Sequence, residues 1–190
     1  MTDTPSSARQ RPAATHPRPV IIAHWVTVIV LLLVFSLILG RELLDQDALR
    51  AILLNGHRAA GLAVGALAIA RLGLRSRYAL APTGAGTPLW QRLAAGLVHV
   101  AVYLLLLALP LLGCLLTNAR GQLVSLPGLG SLPVLLARDL DLADTLELVH
   151  ATIAWALLGL VVMHMAAALW HHRVRRDGVL VAMWPSLRRT

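Results

Sequence analysis

The chain contains no lysine: its 17 basic residues are all arginine, against 9 acidic residues, giving a formal net charge of +8. It has a single cysteine, Cys114, and only 14% of its 190 residues are charged. Because that cysteine lies alone inside an apolar run, a disulfide framework, a thiolate metal cluster and covalent haem attachment through CxxCH are all excluded. Small-residue packing is its natural role. The arginine excess does not read as nucleic-acid binding, since the arginines gather at the ends of apolar runs without interleaved aromatics or a reader motif. Topology explains them better.

What the chain has in quantity is hydrocarbon. It is 57% hydrophobic with a mean hydropathy of +0.71, well beyond the usual soluble balance, so it is a membrane protein. Four runs have the roughly twenty residues a bilayer requires: 20–39, 51–74, 93–117 and 148–170. The expected fold is an all-α four-transmembrane-helix bundle. Residues 1–19, rich in Pro, Ser, Thr and Arg, read as a disordered tail, and 177–190 as a short C-terminal tail in which Trp184 lies on the membrane. The bundle and its flanks fill 20–176. The first run is too long for a signal-peptide core and lacks a small-residue cleavage pattern, so it reads as a retained span. Pro110 and Gly113 are expected to kink the third span. In the long link 118–147, the stretch 132–142 is expected to form a short surface helix.

Basic residues set the orientation. The N-tail, the loop after the second span and the C-tail hold twelve arginines, against five in or beside the other two links. By the positive-inside rule both termini are cytoplasmic. Seven of the nine acids fall on the opposite side, so the outer links carry a small negative balance.

Histidine in hydrocarbon is costly and marks function by default. His150 and His164 lie near opposite ends of the fourth span, roughly 21 Å apart along a helix and nearly on one face. With four antiparallel spans, His24 and His164 share the cytoplasmic depth, while His57 and His150 share the outer depth. His99 is also toward the inner side and competes with His24 on depth alone. Gly61 and Gly65 follow His57 at intervals of four, a spacing that admits either a close neighbouring helix or a flat macrocycle.

Zinc or copper sites usually recruit carboxylates or thiolates as well, and a proton relay an intramembrane acid; the spans offer one thiol and no acid. Haem iron takes one imidazole from each face of its ring, and two opposed helices supply that. Two depth-matched pairs therefore read as two non-covalent, bis-histidine haem b groups.

The pieces HW at His24, GHRAAG around His57, HVAVYLLLLALPLLG from His99, NARG at Asn118, LVHATIAW around His150 and HMAAALWHH ending at His172 together resemble the bacterial di-haem cytochrome b561 family of the superoxide oxidase type. The resemblance covers about residues 21–185. It implies an inner-membrane bundle in which His24 and His164 ligate the cytoplasmic-side haem iron and His57 and His150 the periplasmic-side one, which settles the competition with His99. It also implies electron flow from superoxide to ubiquinone. Arg58 and Arg120 are the cations available to superoxide or haem propionates at the outer side, and His171 and His99 are the candidate quinone contacts. Superoxide is an anion, and the negative outer links stand against that activity. The alternative is an electron-transfer anchor subunit for a partner dehydrogenase or hydrogenase, for which the long outer link is the docking surface.

Overall fold

The computed structural model describes residues 15–78, 88–126, 128 and 130–187. The tail expected at 1–19 lies outside these up to residue 14, as does most of the loop after the second span. Four long helices dominate: α1 (Arg18–Glu42), α2 (Asp47–Arg77), α3 (Leu89–Ala119) and α4 (Leu140–Trp170). Each is long and apolar enough to cross a membrane, and each overruns its hydropathic core at both or one of its ends. Polar ends extend them because a helix already nucleated by its apolar run gains one hydrogen bond per added residue. Charge placement helps too: Asp47 sits in the first turn of α2 and Arg75 and Arg77 in its last, complementing the helix dipole.

Neighbours in sequence are neighbours in space: α1 packs on α2, α2 on α3 and α3 on α4. The fully buried contact is small, centred on Val64, Ala68, Leu106 and Leu157, with Leu31 and Val34 of α1 packed against it. Most other large apolar side chains face outward, Ile29, Leu104 and Val162 among them. That is the pattern of a bundle whose outer face is solvated by lipid and whose helices adhere through close packing. Gly65 supplies one such approach: a Cβ there would sit 3.2 Å from Pro110 Cγ.

Three of the four core residues fall on a seven-residue count. Val64 is midway between His57 and Arg71 on α2, Leu106 between His99 and Gly113 on α3, and Leu157 between His150 and His164 on α4. Seven residues are about two turns, so each triplet lies along one helix face. An apolar layer thus separates two polar layers roughly 21 Å apart along the axes.

The surface helix expected at 132–142 is not formed. The link instead makes a two-stranded antiparallel ribbon, β1 (Ser125–Leu126) with β2 (Gly130–Ser131), and runs irregularly to Asp139, where α4 begins. Pro133 lacks an N–H, and the N–H groups of Leu135 and Asp139 are taken by Asn118 Oδ1 (2.8 Å) and the Ala119 carbonyl (2.9 Å) at the end of α3. Asp139 then caps α4, accepting from the Leu142 N–H at 3.0 Å.

The C-terminal segment is structured rather than a free tail. α4 continues into a π-helical turn (His171–Arg175), the chain reverses through left-handed Arg176 and Gly178, and a short helix α5 (Val179–Met183) folds back. Trp184 also has a partner within the chain. Its ring meets Trp25 of α1 edge to face at 5.1 Å, while the Trp25 indole N–H donates to the Met183 carbonyl at 3.0 Å.

Candidate functional site

The clearest site is at the end of the bundle where α2 begins and α4 enters. His57 and His150 face each other there with ring centroids 6.3 Å apart. His57 Nδ1 lies 3.0 Å from the Val34 carbonyl, so its hydrogen sits on Nδ1 and Nε2 carries a free lone pair. A carbonyl partner of this kind fixes the tautomer of a metal-binding histidine. His150 Nδ1 is buried without a well-formed hydrogen bond, although the Leu109 carbonyl is close enough to interact with it. Gly113 makes room for this ring, since a Cβ there would come within 3.5 Å of His150 Cε1.

Beside the rings opens a cavity of about 330 Å³, lined by both of them and by Val34, Phe35, Gly61 and Trp155, with Arg58 and Arg120 among its polar lining. Gly61 borders it with nothing within 4 Å of where a Cβ would be. The two glycines that follow His57 therefore serve different ends, Gly65 for helix packing and Gly61 for open space. A metal held about 2 Å from a nitrogen of each ring needs the centroids about 6.4 Å apart, so the observed spacing fits an iron between two imidazoles. The apolar walls and the open glycine fit a flat macrocycle around it.

At the rim of this cavity Arg58 donates to Gln122 Oε1 at 2.6 Å, and Arg120 is ion-paired with Glu147. Both cations are thus engaged by residues of the long link. No motif in the sequence marks Gln122 or Glu147 as their partners.

The second cluster lies at the opposite end. His164 of α4 and His99 of α3 are in ring contact at 5.3 Å, and His24 of α1 is within electrostatic range of both. His99 is exposed and bonds the Ala95 carbonyl of its own helix at 2.6 Å. Arg71 of α2, which no motif in the sequence sets apart, joins this cluster. Its Nη2 donates to His24 Nδ1 at 3.1 Å, and its guanidinium carbon lies 5.4 Å over the Tyr103 ring. Counting sevens from His57 through Val64 leads straight to it.

His171 lies seven residues beyond His164, in the π-helical turn. Its Nδ1 faces Asp177 Oδ2 at 2.5 Å, and the same carboxylate is 3.5 Å from Arg175 Nε. With Nδ1 held by the carboxylate, Nε2 is the nitrogen left for a ligand. Arg175 also donates to Gln91 of α3 at 3.1 Å, tying this turn to the start of that helix. Among the described residues no group of three or more His, Cys, Asp and Glu side chains is arranged to hold a bare metal ion.

Comparison with known proteins agrees with this chemistry. The family described as Prokaryotic cytochrome b561 matches residues 15–186. The chain is 30% identical over 168 residues to Cytochrome b561 homolog 1 of Escherichia coli (strain K12), covering 87% of this chain and 94% of that one. It is 31% identical over 171 residues to Probable superoxide oxidase CybB of Yersinia pestis, covering 87% and 93%. A shorter match, 39% over 92 residues, covers 48% of this chain and 49% of Cytochrome b561 homolog 2 of Escherichia coli (strain K12). With four spanning helices, opposed histidines and a match over nearly its whole length, the chain belongs to the prokaryotic cytochrome b561 family, multi-pass haem b electron-transfer proteins of the bacterial inner membrane.

Proposed function

We propose that the protein is a di-haem cytochrome that oxidises superoxide at the periplasmic face and reduces ubiquinone toward the cytoplasmic face, with both termini cytoplasmic. The observation that carries this reading is the facing of His57 and His150 at 6.3 Å beside an apolar cavity; beyond the apolar layer His24, His99 and His164 gather at the opposite end of the bundle. His57 and His150 would hold the periplasmic-side haem iron, and His24 and His164 the cytoplasmic-side one. When bound, haem supplies one-electron redox chemistry. The protein's part is to hold His57 in the metal-binding tautomer, keep water from the interior with Val64, Leu106 and Leu157, and set two sites at different depths.

At the cytoplasmic end His171 is the favoured quinone contact. Asp177 accepts from its Nδ1–H, so that once the ring takes up a proton from the cytoplasmic side, Nε2–H donates to a quinone carbonyl and passes that proton on. His99, on the exposed side of the same cluster, is the second candidate. At the periplasmic end Arg58 and Arg120 are the cations able to attract an anion. The 31% identity to a probable superoxide oxidase supports superoxide as donor.

One observation favours the alternative of a subunit that receives electrons from a partner dehydrogenase or hydrogenase. Arg120 is neutralised by Glu147, and Asp139, Asp141 and Asp144 crowd the same end, so the field there does little to draw in an anion. Ubiquinone reduction by the purified protein under a steady superoxide flux decides between them. A rate above the uncatalysed background, abolished by superoxide dismutase, is the result the superoxide reading predicts. A rate equal to background transfers the function to the partner-subunit reading.

A further inference from the structure

The cations of the bundle are not equally provided for. Arg41, Arg50, Arg120 and Arg175 all form ion pairs, and Arg58 has the Gln122 amide. Arg71, half-buried and inside the span, has no carboxylate within ion-pair distance among the described residues. Its neighbours are a histidine nitrogen, the face of Tyr103, and the further positive charge of Arg75. A cation in hydrocarbon without an anion is costly, so the surroundings of Arg71 favour an anionic partner.

The hydrogen bond to His24 points the same way. Guanidinium groups only donate, so the contact makes His24 Nδ1 an acceptor and leaves the ring hydrogen on Nε2. That is the reverse of the tautomer His57 adopts with Val34. If Nε2 of His24 takes a metal, the hydrogen moves to Nδ1, two donors face each other, and Arg71 must turn away to another acceptor. It is then an arginine released beside the very site being filled.

We propose that Arg71 binds a propionate carboxylate of the haem held by His24 and His164, with Tyr103 supporting the guanidinium from below. This rests on the reading of a second haem at that end. Arg71 thereby couples filling of the site to its own release from His24, and its charge favours the reduced, less positive haem.

The test uses the full-length protein, stripped of haem and refilled with either haem b or haem dimethyl ester, whose propionates carry no charge. In the wild type, the ester is expected to bind the His24 site at least about tenfold more weakly than haem b, the scale of one charge-assisted hydrogen bond. Arg71→Gln should weaken haem b there by about the same factor, leave the ester unaffected and lower that haem's midpoint potential. Arg71→Lys should recover part of the affinity. Equal weakening of haem b and ester, as a lipid phosphate partner or a misfolded variant would give, overturns the proposal, and so does an ester that binds the wild type as tightly as haem b. A wild type that takes up only one haem defeats the two-haem reading itself, which the stoichiometry reports separately.

Discussion

His57 and His150 face each other at 6.3 Å from helices that are not sequence neighbours, and they are held differently: the Val34 carbonyl locks His57 Nδ1, while His150 Nδ1 is buried with no well-formed bond. His57 is therefore the preset half of the pair. Replacing either ring by alanine is expected to remove the haem at that end and leave the other, because Val64, Leu106 and Leu157 separate the two clusters. Haem per chain, measured by extraction, should fall from two to one in both variants. Loss of both haems in His57→Ala would contradict the separation.

The two glycines beside His57 should respond in opposite ways. Gly65→Ala places a Cβ 3.2 Å from Pro110 Cγ, and forcing α2 from α3 should cost about 1–3 kcal/mol in a packed contact. Gly61 has open space on that side, so Gly61→Ala should leave thermal stability unchanged or slightly raised. Gly61→Leu should instead cut haem content by filling the cavity. Unfolding and haem content measured together separate the two effects.

Arg120 and Glu147 are both substantially exposed, so their ion pair should contribute little to stability, about 0–1 kcal/mol. Its consequence is electrostatic. Glu147→Gln frees the Arg120 charge and should raise the rate of superoxide-driven ubiquinone reduction at low ionic strength. The gain should fade as salt approaches physiological levels. A gain unchanged by salt would mean that Glu147 acts through something other than its charge.

His16 precedes α1, and its backbone N–H donates to the Ala182 carbonyl at 3.1 Å, closing the N-terminal segment onto α5. Partial burial, then the Arg75 charge, holds its pKa below 6.5. A histidine depressed in the folded state contributes stability present above its unfolded pKa and lost as pH falls through the folded value. The clasp should loosen as pH drops below about 6.5. Fluorescence of the Trp25 and Trp184 pair, followed from neutral pH to pH about 5, should report this, and His16→Gln should flatten the response.

Hydropathy made the four spans legible, and a seven-residue count made the histidine layers legible, because both are local periodicities that packing preserves. The link 118–147 was not legible. Its leucine-rich stretch has helical propensity, but the end of α3 captures the Leu135 and Asp139 N–H groups, a tertiary fact with no local signal. Arg71 was hidden by a sound rule, since arginines near the end of a span normally serve topology. Only its register with His57 and Val64 sets it apart from Arg75 and Arg77. The fold-back onto Trp25 depends on left-handed Arg176 and Gly178, of which only the glycine hints at a reversal.

Haem stoichiometry and ligation, measured on the purified full-length protein from haem-replete cells, test the central claim most directly. Two haem b per chain are expected, both extractable without covalent residue, with a low-spin bis-histidine spectrum. A colourless preparation, or a high-spin spectrum with one open iron position, would contradict it.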